Sequence, residues 1–228
     1  MTYAPGFRPV SRDPAELPYA ATAFDITLAD LPLPSSDLIE EAKQSLRPIL
    51  GKPVWNHSHR AFLFGSAIAK GKLSDHIDYD AESFYLACLF HDIGCVPENI
   101  KKTKMSFEFW GGIQAREWLS SHGASNDLAD SVAEAIFRHT DFNSGKISSN
   151  GQLIQLGTLF DNIHAHEEHI SKDLVQEIVK QYPRPGWSNC FAGAMQDEVD
   201  AKPWAHATEL RESENWPKIT NNALAKAE

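Results

Sequence analysis

Residues 84–97 read FYLACLFHDIGCVP, and this run decides the fold class. Phe84, Ala87, Cys88 and His91 fall at i, i+3, i+4 and i+7, the spacing of one helix face. Gly94 and Pro97 supply the stop. An apolar helix ending in a histidine and an aspartate carries polar groups toward a core, where each needs a partner. His91 and Asp92 are about 100° apart around a helix, so both reach one point only near a helix end. Gly94 provides that end.

The same period recurs along the chain. Leu128, Val132, Ala135, Ile136 and His139 share a face, as do Ile154, Gly157, Thr158 and Asp161. Leu174, Val175, Ile178, Val179 and Tyr182 form another. Strict alternation is absent, and loops such as Phe142–Gly151 are short and rich in Gly, Ser and Asn. The expectation is an all-α protein, a compact helical bundle over residues 37–182. Asp37 with Glu40 reads as a capping box opening a short helix that Pro48 closes. Residues 1–36 carry Pro5, Pro9, Pro14, Pro18, Pro32 and Pro34 and read as an extended arm. Residues 183–228 hold Trp187, Trp204 and Trp216, too aromatic for a disordered linker. That extension is expected to pack on the bundle or on a neighbouring subunit.

The 228 residues are 42% hydrophobic and 23% charged, ordinary values for a globular chain. A net charge of −10 argues against sequence-independent binding to nucleic acid or an anionic membrane. Cys88, Cys95 and Cys190 make no C-x-x-C pair and read as buried, reduced thiols. No run has the length of a signal peptide core or a membrane span, so a cytoplasmic protein is expected.

Asp161 follows Leu156-Gly157-Thr158-Leu159-Phe160, where an ionised carboxylate is costly without a strong partner. Asn56-His57-Ser58-His59 offers a further imidazole from either His57 or His59. Two imidazoles with two carboxylates suit one divalent ion, Zn²⁺ first, with Fe²⁺ or Mn²⁺ open. The set lacks the thiolates of a closed structural zinc site. His164, His166 and His169 lack zincin spacing and read as a solvated helix end, and Lys101–Lys104 as a solvated loop.

The order His57, His91-Asp92, Asp161 resembles the signature of the HD-domain metalloenzymes, an all-α superfamily of mostly phosphohydrolases. Further blocks resemble the fungal cyanamide hydratases: Asn56-His57-Ser58, Thr103–Gly112, Glu134–His139, Leu159–Asn162, Tyr182-Pro183-Arg184 and Lys202–His206. Tyr182 and Ala207 depart from that pattern. The resemblance selects His57 over His59 and implies His57, His91, Asp92 and Asp161 as ligands. It also implies hydration of cyanamide to urea, with water ionised on the metal as nucleophile. Such a reaction needs a proton carrier, for which Glu108 is the candidate, with Lys104 to orient substrate or pair with a carboxylate. His139 and Thr158 are expected to contact the substrate, a small neutral molecule, and a homo-oligomer is expected. Two rival readings stand beside this one. A phosphohydrolase would need cationic clamps from Arg60, Arg116, Arg138 or Lys104. A metal-stabilised regulatory protein would need no reaction.

Overall fold

Apolar positions at helical spacing organise the chain into eleven α-helices among the residues described by this computed structural model, 3–21, 25–73, 76–141 and 144–228. The expected arm at 1–2 and 22–24, and the loop positions Phe142 and Asn143, lie outside the described residues. The first eight helices are α1 (Asp37–Leu46), α2 (Lys52–Lys72), α3 (Ala81–Phe90), α4 (Pro97–Lys102), α5 (Phe107–Ser121), α6 (Asn126–Arg138), α7 (Ser149–Ile163) and α8 (Lys172–Gln181). The extension adds α9 (Trp187–Ala201), α10 (Ala207–Glu212) and α11 (Trp216–Asn221). The fold is all-α, as the periodicity implies.

Three helices are buried on nearly every face and form the centre. Asn56–Ala69 of α2, Ser83–Phe90 of α3 and Ser149–Thr158 of α7 are all buried. The helix starts are capped by side chains. Asp80 accepts from the Ser83 amide, Ser125 from Leu128 and Ser148 from Gly151. The first cap differs from the capping box expected at Asp37 and Glu40. Ser36 accepts from the Ile39 amide, while Asp37 and Glu40 occupy the first turn, where their charge favours the helix dipole.

α2 and α7 cross at two glycines. A Cβ on Gly157 would lie 2.1 Å from the Ala61 carbonyl oxygen, and one on Gly65 2.7 Å from that of Leu153. The backbones therefore touch, which brings His57 and Asp161 to the same end of the crossing. Gly94 has a similar role. α3 already ends at Phe90, and Gly94 instead admits the Phe107 carbonyl, 2.0 Å from where its Cβ would be.

The proline-rich arm is more than extended chain. β1 (Pro9–Ser11) pairs antiparallel with β2 (Lys146–Ser148), with Val10 opposite Ile147. The Ser149 amide donates to the Arg8 carbonyl, so the arm straps the start of α7. Three-residue strands are too short to leave an alternation in the sequence. Residues 183–228 pack on this same chain, with α9 against α2 and α4 and α11 against α7. Trp187, Phe191, Met195 and Ile219 form a second apolar cluster with Cys95 and Phe107. Glu198 of α9 accepts from the Phe107 amide at 2.9 Å and pairs with Lys202 at 2.7 Å, fixing the start of α5. Among the described residues no helix is long and apolar enough to cross a membrane.

Gly157→Ala forces a methyl into the Ala61 carbonyl and is expected to destabilise by about 1–3 kcal/mol. Gly193, a helical glycine of α9 with nothing near its missing Cβ, is the control. Gly193→Ala is expected to stabilise by about 0.5–1 kcal/mol. Urea unfolding of the two variants checks both signs.

Candidate metal centre

His57 sits in the second turn of α2, His91 caps the C-terminus of α3, and Asp92 follows as the backbone leaves the helix. All three are buried, and one ligand atom of each lies within 4.8 Å of the others. Their tautomers follow from the outer hydrogen bonds. His57 Nδ1–H donates to Asp161 Oδ2 at 2.6 Å, and His91 Nδ1–H donates to the Cys88 carbonyl at 2.8 Å. In neutral rings this leaves both Nε2 atoms as lone pairs, and they face each other at 3.1 Å. Asp92 Oδ2 adds a third electron-rich atom, 3.2 Å from His91 Nε2 and 3.7 Å from His57 Nε2. Lone pairs so placed repel one another unless a cation lies among them, and because, against the effect of burial, Asp92 raises the His91 pKa, a proton on His91 Nε2 and a metal ion compete for that place. This N₂O donor set, with no thiolate, fits a divalent ion. Cys95 Sγ is 3.7 Å from Asp92 Oδ1, but burial pushes its thiol well up, so it stays protonated.

Burial lowers the His57 pKa to about 4 against the pull of Asp161 and Asp92, keeping the ring in its ligating neutral form. Burial also opposes charge on Asp92, yet His91, His57 and His139 hold its carboxyl below the usual carboxylate range. Trp187 from α9 stacks on the His57 ring at 4.0 Å and closes that side. His59 points elsewhere, donating to the Trp55 carbonyl and stacking on Tyr182.

Asp161 is placed differently from the other three expected ligands. It faces the far nitrogen of His57, outside the converging atoms. Arg60 grips it bidentately, Nε to Oδ1 at 2.8 Å and Nη2 to Oδ2 at 2.9 Å, and Arg184 Nη1 donates to Oδ1. Arg60 also donates to the Tyr182 and Pro183 carbonyls, and Arg184 to Ser188 and Glu228. The strong partner that the apolar surroundings of Asp161 demand is this pair of guanidiniums. Against the cost of burial they hold its pKa well below the usual value. In this geometry Asp161 orients His57, a carboxylate–histidine arrangement common behind metal ligands.

A small cavity of about 50 Å³ opens beside His91 and Asp92, lined also by His139, Thr140, Thr158 and His206. His139 and Thr158 thus stand where substrate contacts are expected. His139 Nδ1–H donates to the Ile136 carbonyl, and burial lowers its pKa to about 4, leaving Nε2 a lone pair. Lys104 is exposed and lines no part of this cavity, which corrects its expected place at the site. The loop's carbonyls are used instead, Lys104 oxygen by Trp204 Nε1 and Met105 oxygen by buried Lys202. Glu108 is fully buried, but it stands behind the cavity wall. His206 Nδ1 meets its Oε1 at 2.8 Å, and His206 Nε2 meets Glu209 Oε2 at 3.0 Å. His206 is the residue that sequence reasoning left without a role. Its only signal was the Lys202–His206 block, 98 residues from its partner.

A wider groove of about 370 Å³ also reaches Asp92 and is lined by Val54, Trp187, Phe191 and Ala194. Elsewhere, the half-buried His166 and His169 approach one another and the exposed Glu168 after α7.

The HD domain family matches residues 54–182, a span that holds His57, His91, Asp92 and Asp161. The cyanamide hydratases DDI2 and DDI3 of Saccharomyces cerevisiae are each 38% identical over 184 residues, covering 80% of this chain and 81% of theirs. HD domains bind divalent metals, and the converging His57, His91 and Asp92 lie within the matched span. The chain belongs to the HD domain family of metal-dependent enzymes.

Proposed function

We propose that this enzyme hydrates the nitrile of cyanamide, H₂N–C≡N, to urea, the reaction for which its two yeast relatives are named. The observation that carries this reading is the lining of the two cavities at the metal residues. Neither contains a lysine or an arginine. The cavity of about 50 Å³ holds only a few water-sized positions, at roughly 10–15 Å³ each. A small neutral molecule suits it, and a phosphate ester does not.

His57, His91 and Asp92 are the residues that would hold the ion, Zn²⁺ or equally Fe²⁺ or Mn²⁺ by the same donors. When bound, such an ion ionises water near neutral pH and polarises a nitrile. Asp161 fixes the His57 ring through Nδ1, and Arg60 and Arg184 keep Asp161 ionised. The Thr158 hydroxyl donates to the Gln155 carbonyl, so its oxygen lone pairs are free to accept an amino hydrogen from substrate. Neutral His139 offers a second acceptor at Nε2. Hydration joins the water oxygen to carbon, and both water hydrogens finish on the former nitrile nitrogen. In this reading Glu108 and His206 carry the proton. His206 Nδ1 lies between Glu108 Oε1 and Thr140 Oγ1, the latter at 3.3 Å and itself on the cavity wall.

The phosphohydrolase reading lacks its clamps. Arg60 is engaged with Asp161, Arg116 with Asp130, and Arg138 with Asp141, while Lys104 is exposed. None of the four lines either cavity.

Metal-loaded protein is expected to form urea from cyanamide, and chelation or Asp92→Ala to abolish it. Phosphate release from a nucleotide with no urea from cyanamide would move the activity to the rival reaction. Asp161→Asn is expected to keep one bound ion with about 10–100-fold weaker affinity. It should also cost about 3–5 kcal/mol of stability, because buried Arg60 loses its counter-charge and Arg184 keeps only Glu228. Complete loss of metal from a folded Asp161→Asn would return Asp161 to the ligand set. His206→Gln is expected to lower kcat about 10²–10⁴-fold.

The Glu108 hydrogen bond, ahead of the Glu209 charge, raises the His206 pKa against its partial burial. The folded value then exceeds the unfolded one of about 6.5. The stabilisation is full below that pH and is lost as pH rises through the folded value. Wild-type stability relative to His206→Gln should therefore shrink between neutral and alkaline pH, measured by urea unfolding.

A further inference from the structure

His166-Glu167-Glu168-His169 lacks the four-residue spacing that aligns two ligands on an α-helix, but the local backbone aligns them in another way. α7 ends at Ile163, and Glu167–His169 form a 3₁₀ turn closed by the His169 amide on the His166 carbonyl at 3.0 Å. Residues three apart eclipse in such a turn. The two imidazoles accordingly lie parallel, with centroids 5.8 Å apart and planes at 2° to each other. Among the described residues, His164 and His166 are the two non-glycine positions with positive φ, at 56° and 61°. That left-handed backbone is costly for an L-residue and recurs where a function holds it.

The donors brought together here are those of a metal site. His166, Glu168 and His169 each offer one ligand atom, and the three atoms lie within 4.8 Å of one another. Glu168 Oε1 is 3.6 Å from His169 Nε2. Bonds of about 2.0–2.1 Å to a tetrahedral ion set ligand atoms roughly 3.4 Å apart, so the closure required is small. The exposed Glu168 side chain supplies it by a change of rotamer. His59, His122 and His139 each direct Nδ1 to a backbone carbonyl. His169 does not: its side chain is only 10% exposed, yet Nδ1 is buried without a hydrogen-bond partner. An imidazole this buried is ordinarily satisfied within the protein. Burial lowers the pKa of both rings against the pull of Glu168, so they keep a lone pair at neutral pH.

We infer that His166, Glu168 and His169 form a second binding site for one divalent transition ion, apart from the centre at His57, His91 and Asp92. Two imidazoles and a carboxylate suit Zn²⁺ and give little to Mg²⁺ or Ca²⁺, with water completing the coordination. None of the three residues lines the small cavity, so the site is independent of the reaction at the centre. It lies on the connection between α7 and α8, where Tyr19 of the arm packs on the His169 ring at 4.1 Å. An ion bound there fixes the left-handed turn that follows the helix of Asp161 and holds the ring against which the arm rests. Its contribution is to stability.

The test is calorimetric titration of Zn²⁺ into the full chain with its central site already filled. Wild type is expected to take up one further ion, and to take up no Mg²⁺ at the same place. His166→Asn, which tolerates the left-handed backbone, should weaken that binding about tenfold or more, and so should His169→Gln and Glu168→Gln. His164→Asn, outside the cluster, should leave it within about twofold. Asp92→Ala should lose the central ion and keep this one. In urea unfolding of wild type, free Zn²⁺ at ten times its Kd should raise the folding constant about tenfold, and His166→Asn should lose that gain. No further ion in wild type overturns the site. A further ion that survives the three substitutions, or that His164→Asn weakens as much as His166→Asn, overturns it too. Where a variant fails to fold, wild type alone decides. Zn²⁺ should protect His166 and His169 from diethylpyrocarbonate, read by peptide mass spectrometry, while His164 stays reactive; equal modification with and without Zn²⁺ ends the assignment.

Discussion

Asp161 has no contact with water, yet its carboxylate is ionised, and much of the molecule is arranged around that charge. Arg60 comes from α2, Arg184 from the segment before α9, and His57 from α2 again, so one carboxylate joins the central helix pair to the C-terminal extension. The second arginine extends the network to Ser188 and Glu228. Removing one member of such a set leaves the others charged and buried, a cost far above that of a surface ion pair. The glycine crossing of α2 and α7 is what allows this. Without backbone contact at Gly65 and Gly157, the His57 and Asp161 side chains could not meet at 2.6 Å.

Two carboxylates close together are neutralised in different ways, and this difference gives the site its chemistry. Asp161 has two guanidiniums. Asp92 has none among its contacts, only two imidazoles and a thiol. Arginine is a permanent cation fixed by the chain, whereas imidazole lone pairs and a carboxylate together invite a mobile one. The tautomers reinforce the division. Asp161 holds the proton of His57 on Nδ1, and the Cys88 carbonyl holds that of His91 on Nδ1, so each Nε2 is free to ligate. A carboxylate already satisfied by arginine thus makes a neighbouring imidazole a better ligand.

The helices and the His91-Asp92 pair were legible because each leaves a local trace: apolar residues at 3.6-residue spacing, then polar groups at a helix end. His57 was distinguished from His59 only by resemblance, and the geometry separates them by their different hydrogen bonds. The apolar neighbours of Asp161 signalled a strong partner, which sequence alone reads as the divalent ion and which in the structure is a pair of guanidiniums. Sequence gives the charge of Arg60 and Arg184 and says nothing of the carboxylate they reach, 101 and 23 residues away. The pairing of Glu108 with His206 was hidden for the same reason. Lys104 and Lys202 show the limit most plainly. The lysine in a motif-like block is exposed, and the one in the tail is buried against Glu198. The thiols divide likewise, with Cys190 exposed where three buried ones were expected.

The extension lines the cavities at the metal residues as well as packing on the bundle. His206 closes the small cavity, Trp187 covers His57, and Phe191 stands between cavity and groove. All three residues lie beyond the span that matches the HD domain family. The bundle therefore brings the ligands together, while the extension supplies the walls and the Glu108 partner. Here the added walls are largely apolar, the nearby arginines are engaged, and the imidazole that the extension adds to the cavity, His206, is already paired with Glu108 and Glu209. On the proposed hydratase reading the substrate is a neutral nitrile, which carries no charge to be stripped of its hydration at these walls.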